Sequence, residues 1–467
     1  MGKAQQVDVV VIGLGVGGEE AAGRLAQAGL NVIGVENTLV GGECPYWGCI
    51  PTKMMARAGN ALAEARRIPG LAVSLPKPGL TVGGATSALQ PDWAPVARRI
   101  RDEATDSWDD KVAVDRFTGK GGHFVRGTAT IVGPGRVKVD DQEWVATRGI
   151  VIATGTKAVI PPIDGLAGTP YWTNREAVEA ETLPGTLIVL GGGAIGLELS
   201  QVMARFGVQV TVIEGSDRVL AMEEPESSET AAAALAADGV TILTGVRAQH
   251  VTHTDAGFSV TLSDGSTVTG EKLLIATGRA ARLDGLGLDT IGLDPSARFL
   301  TTDEWMRAGD KIWGVGDVTG HGAFTHMAMY EADVTVRDIL GQGGPVADYH
   351  ANPRVTFTDP EIGAVGMTEK QAREAGIDVQ VGYTSLASSS RGFIHGPGNE
   401  GFIKVVADRA RGVLVGATSA GPSGGEVLGA LSVAVKAEVP VATLKSTIWA
   451  YPTFHRAIGD ALSLTGV

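Results

Sequence analysis

An α/β fold containing two parallel-sheet units is predicted by three observations. A β-branched strand runs into a glycine-rich turn and a helix near the N-terminus; the same order recurs from residue 186; and each unit is matched by a strand ending in Ala-Thr-Gly. A chain of 467 residues exceeds one compact core, and ordinary domain sizes imply roughly two to four domains.

In the first unit, residues 7–12 have strand character and lead into Gly13-Leu14-Gly15-Val16-Gly17-Gly18, followed by a helical stretch over 19–29. Gly13 permits the tight turn, Gly15 lets backbone N–H groups approach a pyrophosphate, and Gly18 lets the helix lie close to the strand. A second strand, 31–35, delivers Glu36, whose carboxylate can accept hydrogen bonds from both ribose hydroxyls of an adenosine. The second unit has a strand at 186–190, then Gly191, Gly193 and Gly196, a helix through Phe206, a strand at 209–213, and Glu214. The same 23-residue offset separates Gly13 from Glu36 and Gly191 from Glu214. One glycine fingerprint also closes ordinary βα units; two in identical context point to two Rossmann-like dinucleotide-binding domains.

The stretches Ile150-Val151-Ile152-Ala153-Thr154-Gly155 and Leu273-Leu274-Ile275-Ala276-Thr277-Gly278 each read as a buried strand ending in a small turn that leaves room for a cofactor. Thr154, Gly155 and Gly278 thereby join the candidate binding residues. Glu214 would hold free ribose hydroxyls and repel a 2′-phosphate, which favours NADH over NADPH. Arg218, four residues on, either reaches a phosphate or is an ordinary loop arginine.

Composition narrows the function classes. Hydrophobic residues make up 44% and charged residues 19%, as in a water-soluble globular protein, and 66 glycines imply many close backbone approaches. A formal net charge of −13 and a pI near 5.2 argue against nucleic acid or an acidic membrane surface as partner and leave a small-molecule or protein substrate. The N-terminal residues carry no signal-peptide pattern and no stretch is apolar enough to span a bilayer, so a cytoplasmic protein is expected.

Cys44 and Cys49 are the two cysteines of the chain, in Gly41-Gly42-Glu43-Cys44-Pro45-Tyr46-Trp47-Gly48-Cys49-Ile50-Pro51-Thr52-Lys53. On one regular helix, five residues rotate a side chain by roughly 140°, which would turn the thiols apart. Pro45 suits the first helical position and disfavours a helical Cys44, so Cys44 is expected just outside a helix that contains Cys49. A disulfide then becomes sterically possible, and a helix N-terminus would lower the thiol pKa. A zinc site lacks further ligands, so no metal is expected. A structural disulfide does not suit a reduced cytoplasm. A redox pair fits best.

Two dinucleotide units, Gly-Gly-X-Cys-X4-Cys-X-Pro-X-Lys after the first, paired Ala-Thr-Gly strands, and Gly316-Asp317 after Lys311-Ile312-Trp313 resemble the flavoprotein pyridine nucleotide–disulfide oxidoreductases, which include dihydrolipoamide dehydrogenase, glutathione reductase and mercuric reductase. Val355-Thr356-Phe357-Thr358-Asp359-Pro360-Glu361-Ile362-Gly363 resembles the entry to that family's α+β dimerisation domain. The resemblance implies an EC 1.8.1-like enzyme and a homodimer. It implies an FAD domain over 1–155 and 280–348, an NAD(P) domain over 156–279, and a dimerisation domain over 349–467. FAD would be met by Gly13, Gly15, Gly18, Glu36, Gly42, Lys53, Thr154, Gly155, Gly316, Asp317 and His326; NAD would be met by Gly191, Gly193, Gly196, Glu214 and Gly278. Cys49 would receive electrons from flavin and Cys44 exchange with substrate. Lys53 would meet the flavin and pair with Glu198. Hydride then passes from nicotinamide to flavin, and electrons pass through the thiols to an acceptor.

The pattern breaks near the C-terminus. Disulfide-reducing members carry His-Pro-Thr-X-X-Glu there, whereas this chain has Tyr451-Pro452-Thr453-Phe454-His455-Arg456. A free phenol titrates near about pH 10, too high for a base at neutral pH, though Tyr451 can donate a hydrogen bond. His455 shares a face with Tyr451 if the stretch is helical. Mercuric reductases also place tyrosine here but add a C-terminal cysteine pair, which this sequence lacks. The expected function is NAD(P)H-dependent reduction of a disulfide or other electrophile through FAD and the cysteine pair. Quinone reduction straight from flavin, a dihydrolipoamide dehydrogenase-like or mercuric reductase-like activity, and a scaffold flavoprotein are the alternatives. Residues 92–110, with Trp93 and Trp108, read as an amphipathic structural helix, and 391–396 as a loop without a role.

Overall fold

The computed structural model describes residues 4–68, 71 and 90–466. The chain divides into two compact units: Met1–Pro51 with Arg98–Val159 and Gly278–Tyr349, and Thr52–Ala97 with Ile160–Thr277 and His350–Val467.

In the first unit the parallel strands Ile312–Gly314, Gln142–Ile152, Gln5–Ile12, Val32–Glu36 and His123–Arg126 lie side by side in that order. The strand Gln5–Ile12 alternates across the sheet. Val9 and Val11 pack with Leu14, Ala21 and Leu25 on one face, while Val10 and Ile12 pack with Ile33, Ile150 and Ile152 on the other. Both faces are buried, which is why the strand reads as an almost unbroken apolar run. Each such side chain contributes about 1.5–3 kcal/mol on burial. Ile12 is flanked by Val35 and Ile152. Gly13 therefore turns at the carboxyl end of the strand where the order reverses, the position at which open α/β sheets bind ligands.

The second unit repeats this topology. Its parallel strands Lys272–Ile275, Thr186–Leu190, Gln209–Glu214 and Thr241–Thr244 stand in the order of their first-unit counterparts. Its C-terminal part is an antiparallel sheet of Pro353–Thr356, Glu361–Gly366, Val413–Gly421, Phe402–Asp408 and Val379–Ser385. Leu428 and Leu431 of the helix Gly424–Lys436, and Ile458 and Leu462 of the helix Arg456–Ser463, pack with Ile403 and Val405 of that sheet. This is the expected α+β segment.

Two local expectations are corrected. Residues 92–110 do not form one helix: the helix Ala94–Arg99 passes into a π-turn at Ile100–Ala104. The chain then bends through Asp106, Ser107 and Trp108, all at positive φ. The Thr105 hydroxyl donates to the Arg101 carbonyl at 3.1 Å and the Ser107 N–H donates to the same carbonyl at 2.6 Å, so local bonds replace the helical ladder. Residues 391–396 are not a loop but lie largely in the helix Ser390–His395. Its first turn is capped by the Ser389 hydroxyl, which accepts from the Gly392 N–H at 3.0 Å.

Candidate active site

The two glycine turns are built alike. Gly13 has φ +91°, and a Cβ there would lie 2.4 Å from the Ala153 carbonyl oxygen; Gly191 has φ +109°, and its Cβ would lie 2.3 Å from that of Ala276. At Gly18 and Gly196 a Cβ would stand 2.0 Å from the carbonyl oxygens of Gly13 and Gly191. No side chain fits at any of the four. Glu36 accepts the Leu14 N–H at 2.9 Å and the Thr38 N–H at 2.8 Å. Glu214 accepts the Gly192 N–H at 2.6 Å and the Ser216 N–H at 2.7 Å. Each carboxylate thus clamps the middle of its glycine turn and the loop that follows its own strand.

The residues present fit dinucleotides. Gly15 caps the helix Val16–Gln27 and Gly193 caps the helix Ala194–Arg205, in both cases without a side-chain cap bond. The first-turn N–H groups are thereby left to a phosphate. A Cβ at Gly155, Gly193 or Gly278 would meet nothing within 4 Å. Thr154 sits beside Gly155 with its hydroxyl donating to the Arg282 carbonyl at 2.8 Å. Arg218 donates to the carbonyls of Leu220, Ala221 and Glu223 and to the Ser228 hydroxyl, which fixes it within its own loop.

Gly316, at φ +82°, donates its N–H to Glu331 at 2.7 Å. The buried Glu331 also receives the Thr319 hydroxyl at 3.0 Å, His321 Nδ1 at 3.1 Å and the Tyr349 hydroxyl at 3.1 Å. This network fixes the turn that presents Asp317, whose Oδ2 accepts the Thr156 hydroxyl at 2.9 Å. Burial pushes the Asp317 carboxyl up, against the Thr156 bond and the charge of Arg279. The sequence reading missed Glu331, His321 and Tyr349, which carry no motif spacing. His326 is exposed, its ring stacked on Phe324 at 5.2 Å between centroids.

Cys44 and Cys49 stand on two separate helices without a disulfide between them. Cys44 lies inside the short helix Glu43–Tyr46, and Cys49 opens the helix Cys49–Arg67. Cys44 thus stands outside the helix that contains Cys49, as expected, but Pro45 does not open that helix: it lies with Cys44 in the short helix, and a break at Trp47 and Gly48 brings the thiols together. Gly48 makes the reversal possible, since a Cβ there would lie 3.0 Å from the Glu43 carbonyl oxygen and 3.3 Å from Cys44 Cα. Ahead of the pair, Gly42 packs so closely on the first glycine turn that a Cβ would lie 2.8 Å from Gly15 Cα.

The expected lowering of the thiol pKa is also reversed for Cys44. Its hydrogen bond with the Cys49 side chain and its burial hold the Cys44 thiol above the ordinary thiol range, only partly opposed by a bond from Thr325. The Thr325 hydroxyl lies 3.4 Å from Cys49 Sγ. Sequence gave no sign of it.

Lys53 lies one helical turn beyond Cys49. Its Nζ is 2.7 Å from Glu198 Oε2 and 4.7 Å from the centroid of the Phe357 ring. Glu198 in turn accepts the Phe357 N–H at 2.8 Å. Further along the same face of the helix Ala194–Arg205, Gln201 accepts the Asp359 N–H at 2.8 Å and Arg205 Nη2 binds Asp359 Oδ2 at 2.8 Å. The lysine–glutamate pair expected from sequence is thus set in a stripe that fixes residues 357–359.

Tyr451 is 71% exposed and donates its hydroxyl to Ser390 Oγ at 3.0 Å. Residues 451–454 form a turn rather than a helix, closed by the Thr453 hydroxyl on the Ala450 carbonyl at 2.8 Å. His455 precedes the helix Arg456–Ser463 and does not share a helical face with Tyr451. Arg456, at the position of the family's glutamate, pairs with Asp460 at 2.6 Å.

The sequence matches the pyridine nucleotide-disulphide oxidoreductase family over residues 7–332 and that family's dimerisation domain over residues 352–462. A dihydrolipoyl dehydrogenase of Chlorobaculum tepidum is 33% identical, with 98% of this chain and 97% of the relative covered. A mercuric reductase of Streptomyces lividans is 34% identical, with 97% and 94% covered. Among solved structures, the HOCl-induced flavoprotein disulfide reductase RclA from Escherichia coli superposes with a TM-score of 0.85 at 26% identity, covering 98% of this chain and 99% of that one. FAD and a pyridine nucleotide are the typical cofactors of these enzymes, and among the described residues no helix is long and apolar enough to cross a membrane. With two dinucleotide cradles, a thiol pair behind the first, and a dimerisation domain, the chain belongs to the pyridine nucleotide-disulphide oxidoreductase family of enzymes.

Proposed function

We propose that the protein is a cytoplasmic homodimer that draws electrons from NADH and passes them, through FAD and the Cys44–Cys49 disulfide, to a disulfide or other electrophilic acceptor. The observation that carries this reading is the hydrogen-bonded approach of the Cys44 and Cys49 side chains, with the Thr325 hydroxyl 3.4 Å from Cys49 Sγ. FAD would be held by the first cradle with Asp317 and His326, and the nicotinamide dinucleotide by the second cradle with Gly278. Bound FAD supplies a two-electron carrier between nicotinamide and sulfur.

The chain's own residues do the rest. Two electrons break the Cys44–Cys49 bond, leaving two sulfurs that share one hydrogen bond. Cys44 attacks the acceptor's S–S bond and forms a mixed disulfide as the first product thiolate leaves. Cys49 then attacks Cys44, which releases the second thiolate and restores the internal bond. Each leaving thiolate takes up one proton. Tyr451, at the family's histidine position in the sequence, would turn its hydroxyl from Ser390 to donate to the leaving sulfur. NADH preference is supported by Glu214 at the ribose position and by Arg218, whose Nη1 and Nη2 groups bond within its own loop.

Cys44→Ser tests the relay. NADH-dependent reduction of a small disulfide is expected to fall below detection, while a quinone that takes electrons directly from flavin is still reduced. Unchanged turnover of the disulfide would overturn the reading. The tyrosine in place of histidine favours direct quinone reduction as the second reading, and equal loss of both activities would count against it.

A further inference from the structure

A groove of about 210 Å3 opens between residues 388–391 and 451–460, lined by Ser390, Arg391, Tyr451, Arg456 and Asp460 among others. In a chain of net charge −13, this groove holds two guanidinium groups against one carboxylate. Arg456 and Asp460 neutralise each other at 2.6 Å. Among the described residues no carboxylate pairs with Arg391, whose guanidinium is held over the Phe454 ring, 5.1 Å from its centroid. That ring orients the planar fork without using its donors.

The hydroxyls of the groove are not equivalent. Ser389 Oγ donates to the Leu386 carbonyl at 2.6 Å and accepts from the Gly392 N–H at 3.0 Å. Ser390 Oγ accepts from Tyr451 at 3.0 Å, which leaves its own proton for an acceptor in the groove. What is on offer beside Tyr451 is thus one cationic fork and one hydroxyl. A carboxylate, with two oxygens in one plane, matches that set; a phosphate presents three strong acceptor oxygens and needs more donors.

We propose that this groove binds a carboxylate carried by the electron acceptor, with Arg391 as its anchoring cation and Ser390 as the second donor. Identifying the ligand as the acceptor rests on the disulfide-reductase reading above; the carboxylate site itself does not.

Calorimetric titration of the FAD-loaded dimer with two disulfides tests it. Dithiodiglycolate and bis(2-hydroxyethyl) disulfide share an S–S core and differ in carboxylate against hydroxyl. The dicarboxylate is expected to bind roughly tenfold or more tightly than the neutral compound, the worth of one charge-assisted bond. Arg391→Gln is expected to reduce that preference to about twofold or less, and Arg391→Lys to retain part of it. Equal affinities in the unmodified protein, no binding of the dicarboxylate, or a preference that survives Arg391→Gln would each overturn the site. Turnover with the same pair separates the two readings. A preserved binding preference without NADH-dependent reduction of either compound removes the disulfide-reductase reading and leaves the carboxylate site. Reduction of both compounds without a binding preference does the reverse.

Discussion

The two glycine cradles share a hydrogen-bonding scheme almost atom for atom, yet they differ in what covers them. In the first, the Gly41 N–H donates to the Leu14 carbonyl at 2.7 Å, and Gly42 rests on Gly15. The segment that carries the thiols therefore roofs the turn. In the second, the Leu220 N–H likewise donates to the Gly192 carbonyl at 2.9 Å, but a Cβ on Gly193 would meet nothing within 4 Å, and the loop after Glu214 is held to itself through Arg218. The glycine fingerprint thus specifies a cradle for a pyrophosphate and no more. The residues after the carboxylate make one cradle closed over Gly15 and joined to sulfur, as suits a resident group, and leave the other open at Gly193, as suits one that exchanges.

The comparison breaks most visibly at the roof. Gly42 has φ 68° and ψ −151°, a region that in practice only glycine occupies and that costs other residues about 1–3 kcal/mol. An added Cβ would also lie 2.8 Å from Gly15 Cα, a backbone atom that no rotamer change can move. Gly42→Ala is expected to weaken flavin retention on the order of 100-fold, read as loss of 450 nm absorbance after gel filtration. Gly193 has φ −82°, which alanine adopts without strain. Gly193→Ala is expected to keep the flavin and raise KM for NADH by about tenfold, because its methyl faces the pyrophosphate approach. Comparable flavin loss in both variants would dissolve the distinction between roofed and open.

The closed cradle leads to a thiol with an unusual titration. The hydrogen bond with Cys49 and burial hold Cys44 protonated above the ordinary thiol range. Only the thiolate attacks a disulfide, and below the pKa its fraction grows tenfold per pH unit. Turnover of a small disulfide at saturating NADH is therefore expected to rise roughly tenfold per unit between about pH 7 and 9. Quinone reduction, which bypasses the thiols, is expected to stay nearly flat over the same range. A flat disulfide profile would place proton transfer under the control of another group.

What was legible in the sequence is what spacing encodes. The fingerprint glycines, Glu36, Glu214 and the offset of Lys53 from Cys49 follow from turn and helix geometry, and the structure places each where that geometry requires. Glu198 was reached through the family resemblance, which implies a glutamate paired with Lys53. Gly48 was not legible, because it is one glycine among 66 and its role depends on the Glu43 carbonyl folding back on it. Nor were Glu331, His321 and Tyr349, since their network joins a turn, a helix and a following loop with no shared periodicity. The helix expected over 92–110 failed for a local reason: Thr105 and Ser107 offer the Arg101 carbonyl competing bonds. Residues 391–396, read as a loop, prove to lie largely in a helix that Ser389 caps.

The smallest expected effect concerns the two clamping carboxylates. Glu36 is buried and accepts the Leu14 N–H, the Thr38 N–H and the Thr38 hydroxyl, so both of its oxygens face donors. An amide has one acceptor end, and Glu36→Gln must turn its NH2 toward one of them. Loss of about 1–3 kcal/mol of stability is expected, seen as a lowered Tm with no change in nicotinamide selectivity. Glu214 also binds N–H groups with both oxygens but is partly exposed, so Glu214→Gln meets the same misfit with water at hand. Its larger consequence is expected in selectivity, because removing the charge lifts the repulsion of a 2′-phosphate. The ratio of kcat/KM for NADH over NADPH is expected to fall about tenfold, one charged interaction's worth. An unchanged ratio would mean that Glu214 serves the turn alone, and that selectivity for the nucleotide is set outside the cradle.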